Sequence, residues 1–244
     1  MAITTPGAVD YHLASQNPNR TLSISAANTP VTLMCWINTT GWNRGSRFSM
    51  VGTYNQPTSG GTAIQIGASL GNGNVDCWTW GGGVLVSSSG GTGVVPTSGQ
   101  WTHIAYTYDG SLIHSLYING VFVNSSSATT QKAGTITSVY INGYPGGGTA
   151  ETGLFSVDEI MYFDRALTAN EILTAYSSSG NAMGFAYGLE ASFLFEQIIP
   201  GGTVTKCLDY SGGFNDITPI GSATGVNFTY DISPISKNVR PPLG

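Results

Sequence analysis

Charge is what this chain lacks most. Lys and Arg number 8 and Asp and Glu 13 among 244 residues, so charged residues make up 9%, against about 25% in ordinary globular proteins. The formal net charge is −5 and the basic residues are scattered, which excludes a nucleic-acid partner, because phosphate binding needs clustered Lys and Arg. Long apolar runs are also missing: none approaches the roughly 18 to 20 residues that a membrane span requires. Cysteine is sparse, and Cys35, Cys77 and Cys207 are far apart and odd in number. They suit neither a disulfide framework nor a CxxC metal site and read as small buried thiols. His12, His103 and His114 are isolated in the sequence, so a zinc cluster is not expected. The opening MAITTPGAVDYH has no charged segment followed by an apolar one, and the expectation is synthesis in the cytoplasm without a signal peptide.

What fills the space is Gly, Ser, Thr and Asn between short apolar runs, so solubility rests on neutral hydrogen-bonding groups. The runs recur from end to end, the pattern of an all-β sandwich or barrel. Val31 to Ile37 alternates, with Val31, Leu33, Cys35 and Ile37 on one face and Thr32, Met34 and Trp36 on the other. Thr62 to Ile66 and Val75 to Trp80 flank Gly71-Asn-Gly-Asn74, whose residues tolerate positive φ and favour a hairpin. Val84 to Val86 is a further short strand. Trp101 to Tyr108 alternates and stops at Asp109-Gly110. Leu116 to Ile118 and Val121 to Val123 flank Asn119-Gly120, the strongest hairpin signal in the chain. Val139 to Ile141 follows.

One segment changes period. Leu154 to Phe163 suits a strand, and Thr168-Ala-Asn-Glu171 then opens a helix as a capping box: the Thr168 hydroxyl accepts from the Glu171 amide and the Glu171 carboxylate reaches back to the Thr168 amide. Helix propensity carries this as far as Tyr176, and the Ser-Ser-Ser-Gly180 run stops it.

These residues carry a family resemblance. Trp101-Thr-His103 to Asp109-Gly110, Leu116 to Gly120, Ile141-Asn-Gly143, and Val157-Asp-Glu159 to Asp164-Arg-Ala-Leu-Thr-Ala-Asn-Glu171 follow the order seen in laminin-G-like, concanavalin A-like jelly-roll domains. The resemblance runs from about Gly7 to Tyr176. It implies a two-sheet antiparallel sandwich, one sheet concave, with a single short helix at 168–176. Leu189 to Glu196 and the Cys207 to Asn215 turn resemble the strand that ordinarily opens such a domain, yet here they come last. They could begin a truncated second domain, complete the same sandwich in permuted order, or pair with a neighbouring subunit. A lone strand pair is unstable in water, so the expected organisation is one domain over 1–232, with 181–232 completing the sandwich and 233–244 an extended proline-bearing arm.

The fold includes glycoside hydrolases, which need two carboxylates on one face about 5 to 9.5 Å apart. Asp158 and Glu159 are adjacent on a strand and are expected to face opposite ways, and the E-x-D-x-x-E run of one hydrolase group is absent. No catalytic residue is expected: Asp158 is read as holding backbone amides, Asp164 and Arg165 as fixing the helix entry, and His103 as a hydrogen-bonded structural histidine. Asn72, Asn74 and Asp76 begin like an EF-hand loop, but Cys77 takes the glycine position and Gly83 that of the bidentate glutamate. No cofactor is expected, and a loop-bound calcium stays open with no residue assigned. Trp42, Trp78 and Trp80, with Tyr54 and Tyr144 nearby, are candidate glycan contacts by stacking. Trp78 and Trp80 share a strand face, which suits a sugar platform or the inter-sheet core alike. The sequons at Asn38, Asn124 and Asn227 reflect a chain rich in Asn, Ser and Thr.

Low charge and a binding fold without an export signal point to a virion surface protein, a phage capsid decoration or cement protein acting through other copies of itself and a major capsid protein or tail component. The second expectation is a lectin-like, carbohydrate-binding module on a tail fibre or cell surface.

Overall fold

The computed structural model describes residues 2–4, 11–15, 22–24, 29–41, 47–52, 63–68, 73–79, 83–88, 93–127, 134–141, 154–178, 187–194, 209–211, 217–220 and 227–229. In chain order the strands are β1 Ala2–Thr4, β2 Tyr11–Ser15, β3 Leu22–Ile24, β4 Val31–Gly41, β5 Arg47–Gly52, β6 Ala63–Ala68, β7 Val75–Thr79 and β8 Gly83–Ser87. They continue with β9 Trp101–Tyr108, β10 His114–Ile118, β11 Val121–Ser126, β12 Gly134–Ile141 and β13 Leu154–Phe163. Helix α1, Ala169–Ser177, follows, and β14 Leu189–Phe193, β15 Ile217–Ile220 and β16 Asn227–Thr229 are the last elements among the described residues.

They form two eight-stranded sheets. The first runs β11-β10-β9-β4-β13-β1-β16, with β14 also on β13, and the second runs β15-β2-β12-β5-β6-β7-β8, with β3 also on β12. All strand pairs are antiparallel. This is the jelly-roll sandwich that the alternation and the resemblance imply, with strands at 2–4, 11–15, 22–24, 47–52, 217–220 and 227–229 that the sequence reading did not single out.

The main core lies between the sheets. Val31, Leu33, Cys35 and Ile37 from β4, Ile104, Tyr106 and Tyr108 from β9, and Val157, Ile160 and Tyr162 from β13 meet Ile64, Ile66, Val75, Cys77 and Val86 of the second sheet. Cys35 and Cys77 are buried free thiols, and burial alone pushes Cys35 up to about 12, so it stays protonated and acts as a small apolar side chain. Cys207 lies outside the described residues. Each fully buried aliphatic or aromatic side chain in this layer contributes about 1.5 to 3 kcal/mol.

A smaller cluster sits on the opposite face of the first sheet, where α1 lies across it. Met34, Ala105, Tyr117, Met161 and Phe163 pack there against Leu167, Ile172 and Ala175. The helix starts as the sequence dictates: the Glu171 amide donates to Thr168 Oγ1 at 3.3 Å and the Thr168 amide to Glu171 Oε2 at 2.8 Å. Arg165 adds an ion pair to Glu171 Oε1 at 2.8 Å. Thr32 on β4 ties the approach down, donating to the Arg165 carbonyl at 2.8 Å and accepting from the Leu167 amide at 2.9 Å. At the Asn119-Gly120 turn both residues have positive φ, 52° and 76°, the geometry a two-residue hairpin requires. A Cβ at Gly120 would come within 2.9 Å of the Tyr176 ring and 3.0 Å of Leu173, so glycine here also lets α1 sit close.

The late strands join earlier ones. β14 pairs with β13 from Ile160↔Phe193 to Phe163↔Leu189, on the flank of β13 where β1 pairs with Ser156 and Val157. Asp209 pins it, its Oδ1 accepting from the Ser192 and Ser211 amides at 2.9 Å each, while the Tyr210 amide donates to the Ser192 carbonyl at 2.8 Å. β15 pairs with β2, and β16 with β1. Residues 233–244 lie outside the described residues.

Candidate functional site

The outer face of the first sheet holds the groups that look chemical in the sequence. Here β13 departs from plain alternation. Its register against β4 passes from Asp158↔Trp36 to Met161↔Met34, so Glu159 and Ile160 together oppose Cys35. This is a β-bulge, and Glu159 takes φ 49°, unusual for a residue with a side chain. Val157 and Ile160 both reach the inter-sheet core, and the two residues between them fall on the other side. The expectation that Asp158 and Glu159 face opposite ways is therefore overturned: the extra residue brings both to the helix-covered face.

That shared face does not make a catalytic pair. Asp158 is 1% exposed and Glu159 8%. Glu159 borders, with Met34, Trp36, His103, Met161 and Ala175, a cavity of about 10 Å³, room for about one water molecule and no sugar. Asp158 does hold an amide, accepting from the Glu159 N–H at 2.9 Å.

His103 is 2% exposed and lies opposite Trp36 in register. Its ring centroid is 5.2 Å from that of Trp36 and 5.9 Å from that of Tyr176, and Trp36 and Tyr176 stack at 5.5 Å. Its main chain is bonded to Asn119, the amide donating to Asn119 Oδ1 at 2.9 Å. The ring differs from the expected hydrogen-bonded histidine: Nδ1 is buried with no protein partner. Aromatic packing holds it, and burial pushes its pKa down to about 3, so the imidazole is neutral at physiological pH. His114, isolated in sequence, is buried between aromatics, 2.8 Å from the Tyr106 hydroxyl through Nδ1 and stacked on Tyr108 at 4.5 Å.

The second sheet is built differently. Cys77 and Ile66 lie in the core, and Trp78 and Gln65 are their chain neighbours on β7 and β6. The register makes a row across the sheet: Trp78↔Gln65, Gln65↔Ser49, Ser49↔Tyr140 and Tyr140↔His12. Trp78, Gln65, Ser49, Tyr140 and His12 thus occupy successive register positions across the sheet. Of the candidate glycan contacts, Trp78 lies in this row, while Trp42 and Trp80, like Tyr54 and Tyr144, lie outside the described residues. The sequence reading grouped Trp78 with Trp80 and missed Gln65, Ser49, Tyr140 and His12, which only strand pairing brings together.

Beside this row, Asp76 accepts a short hydrogen bond from the Ser87 hydroxyl. No group of three or more His, Cys, Asp or Glu among the described residues could hold a metal ion. The Asn124 sequon serves the fold, its Nδ2 donating to the Ser87 carbonyl at 2.8 Å and tying β11 to β8.

The profile of the concanavalin A-like lectin/glucanases superfamily matches residues 12–173. The chain belongs to that superfamily. Its fold is similar to that of the native heptameric SAP-like pentraxin of Limulus polyphemus, at 21% identity and a TM-score of 0.56 over 74% of this chain and 83% of the pentraxin. It is also similar to a candidate carbohydrate binding protein from Bacteroides ovatus, at 16% identity and a TM-score of 0.56 over 91% of this chain and 59% of that one. No individually curated protein matches the chain. This superfamily member has no helix among its described residues long and apolar enough to cross a membrane.

Proposed function

We propose that this chain is a non-enzymatic structural protein of a virion, a phage capsid decoration or cement protein that works through contacts with other copies of itself and with a major capsid protein or tail component. The observation that carries the non-enzymatic part is the burial of Asp158, Glu159 and His103, the last two beside a cavity of one-water size. A substrate has no way to reach them. The virion part is supported by a surface of neutral hydrogen-bonding residues: with charge at 9%, many copies pack side by side with little like-charge repulsion. Mass spectrometry of purified particles from the source tests it. The chain is expected at a fixed ratio to the major capsid protein, and particles without it sink the reading.

A second reading is favoured by the row from Trp78 to His12. Sugar rings stack on indole and phenol faces while amides and hydroxyls bond to their hydroxyls, and a candidate carbohydrate binding protein shares the fold. On this reading the second sheet is a lectin-like surface for glycans on a host cell or a neighbouring component. A glycan array decides it: binding lost in Trp78→Ala supports it, and no binding by the wild type ends it.

A further inference from the structure

Two of the chain's five methionines meet on the face that α1 covers. Met34 on β4 and Met161 on β13 are opposite in register, and Trp36, further along β4 on the same side as Met34, is opposite His103 on β9. Directly opposed side chains have Cβ atoms about 4.5 to 5.5 Å apart and diagonal ones about 7 to 8 Å, so long side chains at these positions reach one another. All four line the cavity of about 10 Å³, together with Glu159 and Ala175.

The cavity is bordered by chemistry that packing does not require. His103 is 2% exposed and its Nδ1 has no protein partner, although buried polar atoms are ordinarily bonded. Glu159 reaches the cavity through the β-bulge, at a φ of 49°. Bulges re-aim side chains, and a positive φ on a residue with a Cβ is a strained backbone that tends to mark functional sites.

The donor set selects the guest. Thioether sulfur favours Cu(I), and imidazole also suits copper. Calcium and magnesium take six or more oxygen ligands, and Glu159 is the single carboxylate on this cavity. A grouping of three or more His, Cys, Asp or Glu fit for a metal is absent among the described residues, but methionine sulfur is a ligand of another kind. Charge and size agree: one acidic side chain balances one positive charge, and a space for about one water admits a bare ion without its hydration shell.

We propose that Met34, Met161 and His103 form a binding site for one Cu(I) ion, held by the two thioether sulfurs and the imidazole, with Glu159 balancing its charge. Methionine has three rotatable side-chain bonds, which lets the sulfurs close on the ion. Bound there, it ties together β13, β4 and β9, three adjacent strands of the first sheet, and stabilises the fold by binding the native state alone. The site stands independently of the virion and glycan readings.

The test is an anaerobic titration of the full chain with Cu(I), followed by NMR with isotopic labels at the methionine methyls and histidine rings. The Met34 and Met161 methyl signals and the His103 Nδ1 signal are expected to shift together and saturate at one equivalent, while the other methionines stay put. Met34→Leu and Met161→Leu keep the core's volume, and each is expected to weaken Cu(I) binding by about tenfold or more in competition with a chelator. A single water bonded to His103 and Glu159 is the rival occupant; signals that stay put with Cu(I) in excess favour it and overturn the proposal. Cu(I) binding that survives both methionine substitutions together also overturns it, since the thiols of Cys35, Cys77 or Cys207 would then hold the ion.

Discussion

The two sheets make the most instructive contrast in the molecule. On the first sheet, α1 covers Met34, Met161 and Phe163, and His103, Asp158 and Glu159 are buried, so groups with acid–base potential serve packing. On the second sheet, Trp78, Gln65, Ser49, Tyr140 and His12 fall in one register row. The difference teaches that residue type alone misplaces function in this fold: Asp158 and Glu159 belong to the scaffold, and strand register gathers polar and aromatic residues that are far apart in the sequence.

Substitutions can break that contrast, and the largest effect is expected under the helix. Phe163 is fully buried there, and Phe163→Ala should cost about 3 to 5 kcal/mol in urea unfolding while any glycan or particle binding by the folded fraction is retained. Phe193, fully buried in the core on β14, should cost a similar amount when cut to alanine. A loss below about 1 kcal/mol would mean that β14 does not complete the first sheet.

Acid tests the sealed face next. The His103 pKa is about 3 folded against about 6.5 unfolded, so the unfolded chain binds a proton that the folded chain refuses. Stability from this site is whole above pH 6.5 and falls as the pH drops towards 3, by up to about 1.4 kcal/mol per pH unit. His103→Phe should flatten that part of the pH–stability curve. An unchanged curve would place the imidazole in contact with water.

Removing the cap is a smaller perturbation: Thr168→Ala should cost about 1 kcal/mol, read by thermal melting. Glu171 is held below the usual carboxylate range by bonds from Thr168 and Arg165, against the upward push of burial. The cap therefore loosens in acid once the carboxylate is protonated, and Glu171→Gln should remove that step.

Much of this was legible because it is local. The Asn119-Gly120 hairpin and the Thr168–Glu171 capping box each depend on residues a few positions apart, and both formed where the sequence puts them. The helix-covered cluster was half legible: Thr32, Met34 and Trp36 were visible as one strand face, but nothing nearby says that a helix over a hundred residues later covers it. The bulge at Glu159 was hidden because its positive φ falls on a glutamate, where glycine or asparagine would have signalled it. Trp78 stayed ambiguous for a related reason. Alternation separates it from Cys77, yet which of the two faces the core is decided only when the second sheet meets the first.

The most direct test of the contrast is to measure stability and binding together on Trp78→Ala. The account predicts an unfolding free energy within about 1 kcal/mol of wild type, as for a residue outside the core, with at least a tenfold loss of affinity for the glycan or particle surface bound by the wild type. A loss of several kcal/mol with affinity unchanged in the folded fraction would contradict it, and would return Trp78 to the scaffold.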